Sequence, residues 1–419
     1  MTEAPAIRKH GKNAFLFVTV SVAIDMISFG IIIPVMPFLL EELTGKPPED
    51  TVAIGGFLMA LFGVLNFLAM PTIGGLSDRF GRRPVLLASI ATLGIDFLIM
   101  GFAHSLWLLF IGRALTGISS ATFSTANAYI ADVTEPDERG KAFGMMGAAF
   151  GIGFIIGPSL GGWLGAIDTR LPFFGAAALS FLNFLYGYFV LPESLAREDR
   201  RPFDPQRANP FGALKHFSKL PKVAWFIAAY GLFMFAHNVF PATWNYYSEI
   251  RYDWGKAEIG FSLTLVGIGS AITQAVLIGP ALKRYGPLRT AVGGLAITAI
   301  ACSLYAMAFR DWMVYAIIPF GALGGVFGPA MNQIMSGLTP KNAQGELQGA
   351  TASLNAFSMI FAPLLMTQTL HVFATDDAPV YFPGAAFLLA SILTALAIIP
   401  FMAGVRANRR EVADLTAAE

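Results

Sequence analysis

Charge is scarce in this chain. Asp, Glu, Lys and Arg together make up 13% of its 419 residues, about half the share typical of a soluble protein. A chain this long with so few charges cannot cover two or three water-facing domains. Cysteine is nearly absent: Cys302 stands alone, which excludes an intrachain disulfide, a cysteine zinc cluster and a dithiol redox pair. No glycine loop of the nucleotide-binding kind, no HExxH helix and no nucleophile elbow is present, so neither an ATP-driven pump nor a hydrolase is indicated. The net charge of +1 leaves no basic face for a nucleic acid.

Apolar residues, by contrast, make up 55% of the chain, and 43 glycines stand beside them. Glycine at that density suits helices that approach closely in lipid. Windows of about 20 apolar residues, enough to cross about 30 Å of hydrocarbon, recur about twelve times. The spans are predicted at 13–40, 53–76, 84–103, 105–132, 141–166, 171–191, 222–248, 257–282, 287–309, 311–338, 345–373 and 380–403. The short basic start followed by a long apolar run reads as an uncleaved first span. Residues 192–221 are charged and proline-rich and read as a linker, so the expected organisation is a six-helix half at 1–191, the linker, and a second six-helix half with a short tail at 222–419.

Arginine and lysine fall unevenly. One side gathers Arg8, Lys9, Lys12, Arg79, Arg82, Arg83, Arg139, Lys141, the linker residues Arg197, Arg200, Arg201, Arg207, Lys215 and Lys219, then Lys222, Lys283, Arg284, Arg289, Lys341, Arg406, Arg409 and Arg410. The other side holds Lys46, Arg170, Arg251, Lys256 and Arg310. The positive-inside rule makes the first side, with both termini, cytoplasmic. Arg113 belongs to neither side.

A shift of 205 residues lays Gly74, Arg79 and Gly81 on Gly279, Arg284 and Gly286, and also Gly140, Gly144 and Pro158 on Gly345, Gly349 and Pro363. One offset serving two separate regions points to a duplicated helical half. The charged turn GGLSDRFGRRP at 74–84 resembles the loop between helices 2 and 3 of the major facilitator superfamily. That resemblance implies an all-α integral membrane fold of twelve transmembrane helices in two pseudo-symmetric halves, and a gating role for Asp78, Arg79, Gly81 and Arg82. Lys283 stands where the repeat would place a second Asp78.

Three ionisable side chains lie deep within spans, where a charge costs on the order of 3 kcal/mol even on the lenient insertion scale. Counted at 1.5 Å per residue, Asp25, Asp96 and Arg113 each fall roughly 18 Å from the cytoplasmic face, near the midplane. An arginine can form an ion pair with one aspartate, a purely structural arrangement. It cannot neutralise two, so a second carboxyl is left to take up a proton. Asp25, Asp96 and Arg113 are therefore the expected proton-coupling residues.

The predicted fifth helix carries Gly147, Gly151, Gly153, Gly157, Pro158, Gly161 and Gly162. Its G-x-x-x-G-P-x-x-G-G run resembles the antiporter motif of the drug/proton branch, which adds Gly157, Pro158, Gly161 and Gly162 to the gating set. With YIADVTEPDERGKAFG at 129–144, IGR at 111–113, ID at 95–96 and QGELQG at 344–349, the whole chain is similar to the tetracycline-efflux group. Two departures stand out: a histidine expected in helix 8 is replaced by Gly269, and helix 9 lacks an expected aspartate.

In the second half the polar and aromatic residues of the seventh span, His237, Asn238, Trp244 and Tyr246, with Asn355 in the eleventh, are the expected substrate contacts, joined by Asn66 from the second span. Trp and Tyr near a span end equally form an interfacial belt. The expectation is a non-enzymatic, proton-coupled antiporter without cofactor, metal or nucleic acid. It would act as a monomer in a bacterial-type inner membrane and export an amphipathic small molecule, tetracycline-like first of all, by alternating access. The alternatives are a carrier of an endogenous metabolite or lipid on the same frame, or a sensor that no longer transports.

Overall fold

The computed structural model describes residues 11–119, 122–135, 138–203, 222–409 and 411. Linker residues 204–221 lie outside the described residues, and so do Arg8, Lys9, Arg207, Lys215, Lys219 and Arg410 of the basic set. Among the described residues all regular structure is helical. In chain order the helices are α1 (Gly11–Ile32), α2 (Met36–Thr44), α3 (Pro48–Phe80), α4 (Arg82–Gly101), α5 (Leu106–Ser119), α6 (Thr122–Val133), α7 (Arg139–Ile167), α8 (Leu171–Val190), α9 (Ala224–His237), α10 (Val239–Tyr252), α11 (Lys256–Ile272), α12 (Ile278–Met307), α13 (Asp311–Ala322), α14 (Phe327–Leu338), α15 (Gln344–Ala374), α16 (Ala385–Leu396) and α17 (Ile398–Ala407).

Several of these are halves of one crossing. Pro34 sits in the tight turn between α1 and α2, and the two together form the span Phe15–Thr44. Pro241 has no N–H to offer the His237 carbonyl, and there α9 gives way to α10. Among the described residues, eleven stretches are long and apolar enough to cross a membrane, one of them running 52 residues from Lys256 to Met307. At 1.5 Å per residue it would be about 78 Å long, more than two bilayer cores. Gly286, at φ 70° and ψ 165°, breaks it, which makes twelve crossings of the eleven stretches.

Gly81, between α3 and α4, has φ 104°. It and Gly286 stand 205 residues apart, the offset of the sequence repeat, and both occupy the left-handed side of backbone space that favours glycine. The duplicated turn is thus a duplicated backbone conformation.

Two compact units emerge, and they do not follow the sequence halves. One comprises Met1–Val35 with Leu65–Pro210; the other comprises Met36–Val64 with Phe211–Glu419. In the first, α1 packs along α7 and α8, and α4 along α8 and α5. Its apolar core includes Val18, Val22, Ile90, Tyr129 and Met146. In the second, α12 packs against α16 and α14, and α15 against α9 and α10. Phe226, Phe233, Phe327 and Phe401 are buried at its centre.

The α1–α7 seam explains part of the glycine run. A Cβ on Gly157 would stand 2.7 Å from the Gly30 Cα and 2.8 Å from the Ile27 carbonyl oxygen. Gly153 meets Met26 and Gly161 meets Ile31 in the same way. Three glycines spaced by four residues bring the two backbones together, as small-residue seams do in lipid. Gly147 and Gly151 face open space instead, so the run has a packed stripe and an open one.

Candidate functional site

Asp96 lies on α4 and is fully enclosed, with 0% exposure. The Thr116 hydroxyl on α5 hydrogen-bonds Asp96 Oδ2, while Oδ1 lies enclosed without a donor. Position 112 must stay small, because a Cβ on Gly112 would come within 2.7 Å of Oδ1. Arg113, on the same helix as Thr116, is within electrostatic reach of Asp96.

Asp25 is held differently. It is 3% exposed on α1, and its Oδ1 accepts a 2.9 Å hydrogen bond from Asn183 Nδ2 on α8. The two acids that sequence reasoning grouped around one arginine are thus held by separate neutral donors, with Arg113 beside Asp96. Asn183 and Thr116 were not singled out from the sequence. The available signal was a lone amide in the otherwise apolar α8.

At the basic end of the first unit, Arg82 organises the turn. Its Nη1 donates to Asp78 Oδ1 at 2.5 Å and to Ser77 Oγ at 2.7 Å, and its Nε donates to Asp132 Oδ2 at 3.1 Å. Its backbone N–H donates to Glu193 Oε1 at 2.8 Å. Ser194 Oγ also donates to Asp132, and the Arg201 N–H donates to the Asp78 carbonyl. The segment after α8 is therefore stapled to the Gly81 turn. Arg79, by contrast, is exposed and lies over the Phe80 ring at 5.1 Å. Asp132 and Glu193 were also missed, since their partner Arg82 is 50 and 111 residues away.

In the second unit, the His237 imidazole stacks on Phe233 with ring centroids 5.5 Å apart and meets Phe240 at 5.2 Å. His237 remains accessible, as does Asn355 on α15. Asn238 Nδ2 donates to the Met234 carbonyl at 2.8 Å and closes the end of α9. Trp244 is 3% exposed and its indole N–H donates to Ser262 Oγ at 3.0 Å. It packs edge-on to Tyr305 at 5.1 Å and to Phe387 at 6.1 Å. That places Trp244 in the core of the unit. The Tyr246 hydroxyl lies against the backbone of Gly55 on α3. Asn66 is half-buried in the first unit.

One further cluster belongs to the second unit. Glu41 on α2 faces Glu249 on α10, carboxyl toward carboxyl. Lys256 lies over the Phe38 ring at 5.0 Å, and His371 Nδ1 is 2.6 Å from the Glu49 carbonyl oxygen. Residues 36–64 are thereby tied to α10, α11 and α15.

A duplicated set of twelve crossings, with a charged glycine turn repeated between helices and ionisable groups enclosed within the spans, defines a multi-pass membrane carrier. The chain belongs to the Major Facilitator Superfamily, whose sequence pattern matches residues 18–255 and 240–418. It is 38% identical over 379 residues to the class C tetracycline resistance protein of Escherichia coli, covering 90% of this chain and 95% of that one. The class G protein of Vibrio anguillarum is 37% identical over 356 residues, 85% of this chain and 90% of that one. Among solved structures, a bacterial homolog of the human lysosomal transporter Spinster superposes with a TM-score of 0.76 at 14% identity, over 96% of this chain and 98% of that one. The human organic anion transporter MFSD10 gives 0.70 at 20%, over 94% and 100%. These likenesses show the fold.

Proposed function

We propose that this protein is a proton-coupled antiporter that exports an amphipathic small molecule, with tetracycline the first compound to test, by alternating access across a bacterial inner membrane with both termini cytoplasmic. Its similarity to tetracycline resistance proteins over nine-tenths of the chain supports the substrate class. The observation that carries the coupling is the enclosure of two carboxyls, Asp25 and Asp96, each hydrogen-bonded by a neutral side chain within a span. A carboxyl held this way can exist charged or uncharged without losing its partner, as a proton carrier requires.

Asp78, Arg79, Gly81 and Arg82, with Gly157, Pro158, Gly161 and Gly162, are the gating set in this reading. His237, Asn238, Tyr246, Asn355 and Asn66 remain the substrate-contact candidates. In this reading the predicted halves 1–191 and 222–419 are the bodies that exchange access, and the contacts that residues 36–64 make with the second unit are the ones that must part.

One observation favours a second reading, a carrier of another amphipathic metabolite or lipid. At Gly269, where the resemblance leads one to expect histidine, a Cβ would stand 2.9 Å from the Ala322 Cβ. A glycine there offers no imidazole to a substrate or a proton. The experiment is drug-driven proton release: tetracycline is added to purified protein in weakly buffered detergent and the pH is followed. Release supports antiport of that drug. Absence of release with tetracycline, but release with another amphipathic compound, supports the second reading.

A further inference from the structure

Few titratable groups lie on the elements packed against Asp25. α1 packs along α7 and α8 and touches α6. The charged residues of α7, Arg139 and Lys141, fall in its first turn; α8 has no acid, lysine, arginine or histidine, and its titratable groups are Tyr186 and Tyr188. On α6 the titratable groups are Tyr129 and Asp132, and Asp132 is engaged with Arg82 and Ser194. α1 itself adds Lys12 in its first turn.

At the depth of Asp25 the packing supplies an amide. Asn183, with 0% exposure, donates from Nδ2 to Asp25 Oδ1 at 2.9 Å and to the Ser21 carbonyl oxygen at 2.9 Å. Its two amide hydrogens are thus both committed. The orientation is forced, because the flipped amide would set its own oxygen against two acceptors. The amide oxygen is left enclosed without a donor, an arrangement that is unfavourable in a core. A buried polar group left short in this way is uncommon and calls for an explanation.

We propose that Asn183 is the positioning residue for Asp25, a reading that rests on the proton-coupled function above. By occupying Oδ1 as an acceptor in both charge states, the amide keeps the carboxyl in one rotamer. The incoming proton from bulk water is then taken up at Oδ2, and it leaves from Oδ2 to the other side. Because the donor is neutral, it does not lock the carboxylate in its charged form as an arginine would.

The test uses full-length protein with tetracycline as the probe. Asn183→Leu removes the donor, Asn183→Gln restores an amide, and Asn183→Ser is a smaller donor to fall back on. The pH profile of drug-driven proton release, drug binding and thermal unfolding are measured for each. For Asn183→Leu, the expected result is folded protein that binds drug while the coupled rate falls on the order of tenfold or more, as misplacement of a reacting group does. Its pH profile should shift, and Asn183→Gln should recover it. If Asn183→Leu does not fold, the same shift is read from Asn183→Ser. An unchanged pH profile in the folded variants overturns the proposal, as does a loss that tracks unfolding alone and that Gln does not rescue. A separate infrared measurement of the Asp25 carboxyl band, identified by its loss in Asp25→Asn, keeps the two readings apart. If the wild type couples no protons to any drug, the transport reading fails, while a shifted band in Asn183→Leu would still uphold the positioning contact.

Discussion

Thr116 has one hydroxyl hydrogen and two acceptors within reach, Asp96 Oδ2 and the Gly112 carbonyl oxygen at 3.1 Å. With Asp96 ionised, the hydrogen goes to the carboxylate. With Asp96 protonated, the carboxyl can donate to the threonine oxygen, and the threonine then donates to Gly112. The contact survives both charge states by reversing its direction. Thr116→Val abolishes that exchange and strands an enclosed carboxyl, at a cost of about 1–3 kcal/mol. The expected outcome is a lower unfolding temperature and loss of gradient-driven transport, while Thr116→Ser retains both.

The α1–α7 seam makes a contrast within one motif. Gly157→Ala sets a methyl against the Gly30 backbone, and overpacking of that kind typically costs about 1–3 kcal/mol. Gly151→Ala adds a methyl where there is open space. Thermal unfolding in detergent should therefore fall for the first and stay near wild type for the second.

At the charged turn, Arg82 and Arg79 should separate. Arg82→Ala removes hydrogen bonds to Asp78, Ser77 and Asp132, each bond to a charged group being worth about 1.5–3 kcal/mol before solvent screening. Arg79→Ala exposes nothing that was paired in the turn. Drug resistance in a sensitive host should drop for Arg82→Ala well beyond Arg79→Ala at equal expression.

Trp244→Ala is expected to act through stability, by about 3–5 kcal/mol as for a buried aromatic, with little change in the ranking of substrates. His237→Ala and Asn355→Ala, at accessible positions, should change that ranking with unfolding near wild type. Competition assays over a small drug panel, run beside thermal unfolding, decide both.

Much of this was legible in the sequence, for physical reasons. A helix must be about 20 apolar residues long to cross lipid, so spans announce themselves, and the 205-residue offset exposed the pair Gly81 and Gly286 before any backbone angle was known. Asp25 and Asp96 were visible because charge in a span is costly. Asn183 was not, since an uncharged amide barely disturbs hydropathy and its partner lies 158 residues away. The division into compact units was hidden too, because residues 36–64 leave their sequence neighbours to pack with α10 and α15. Trp244 shows the limit of composition: an aromatic near a span end fits a pocket wall, an interfacial belt or a core, and only packing assigned it to the core.

The most direct test of the account is accumulation of tetracycline in proteoliposomes under an imposed pH gradient, comparing wild type with Asp25→Asn and Asp96→Asn. The account predicts uphill accumulation by the wild type that collapses with a protonophore, and folded, drug-binding variants that no longer accumulate. Gradient-dependent accumulation that persists unchanged in both variants would contradict it.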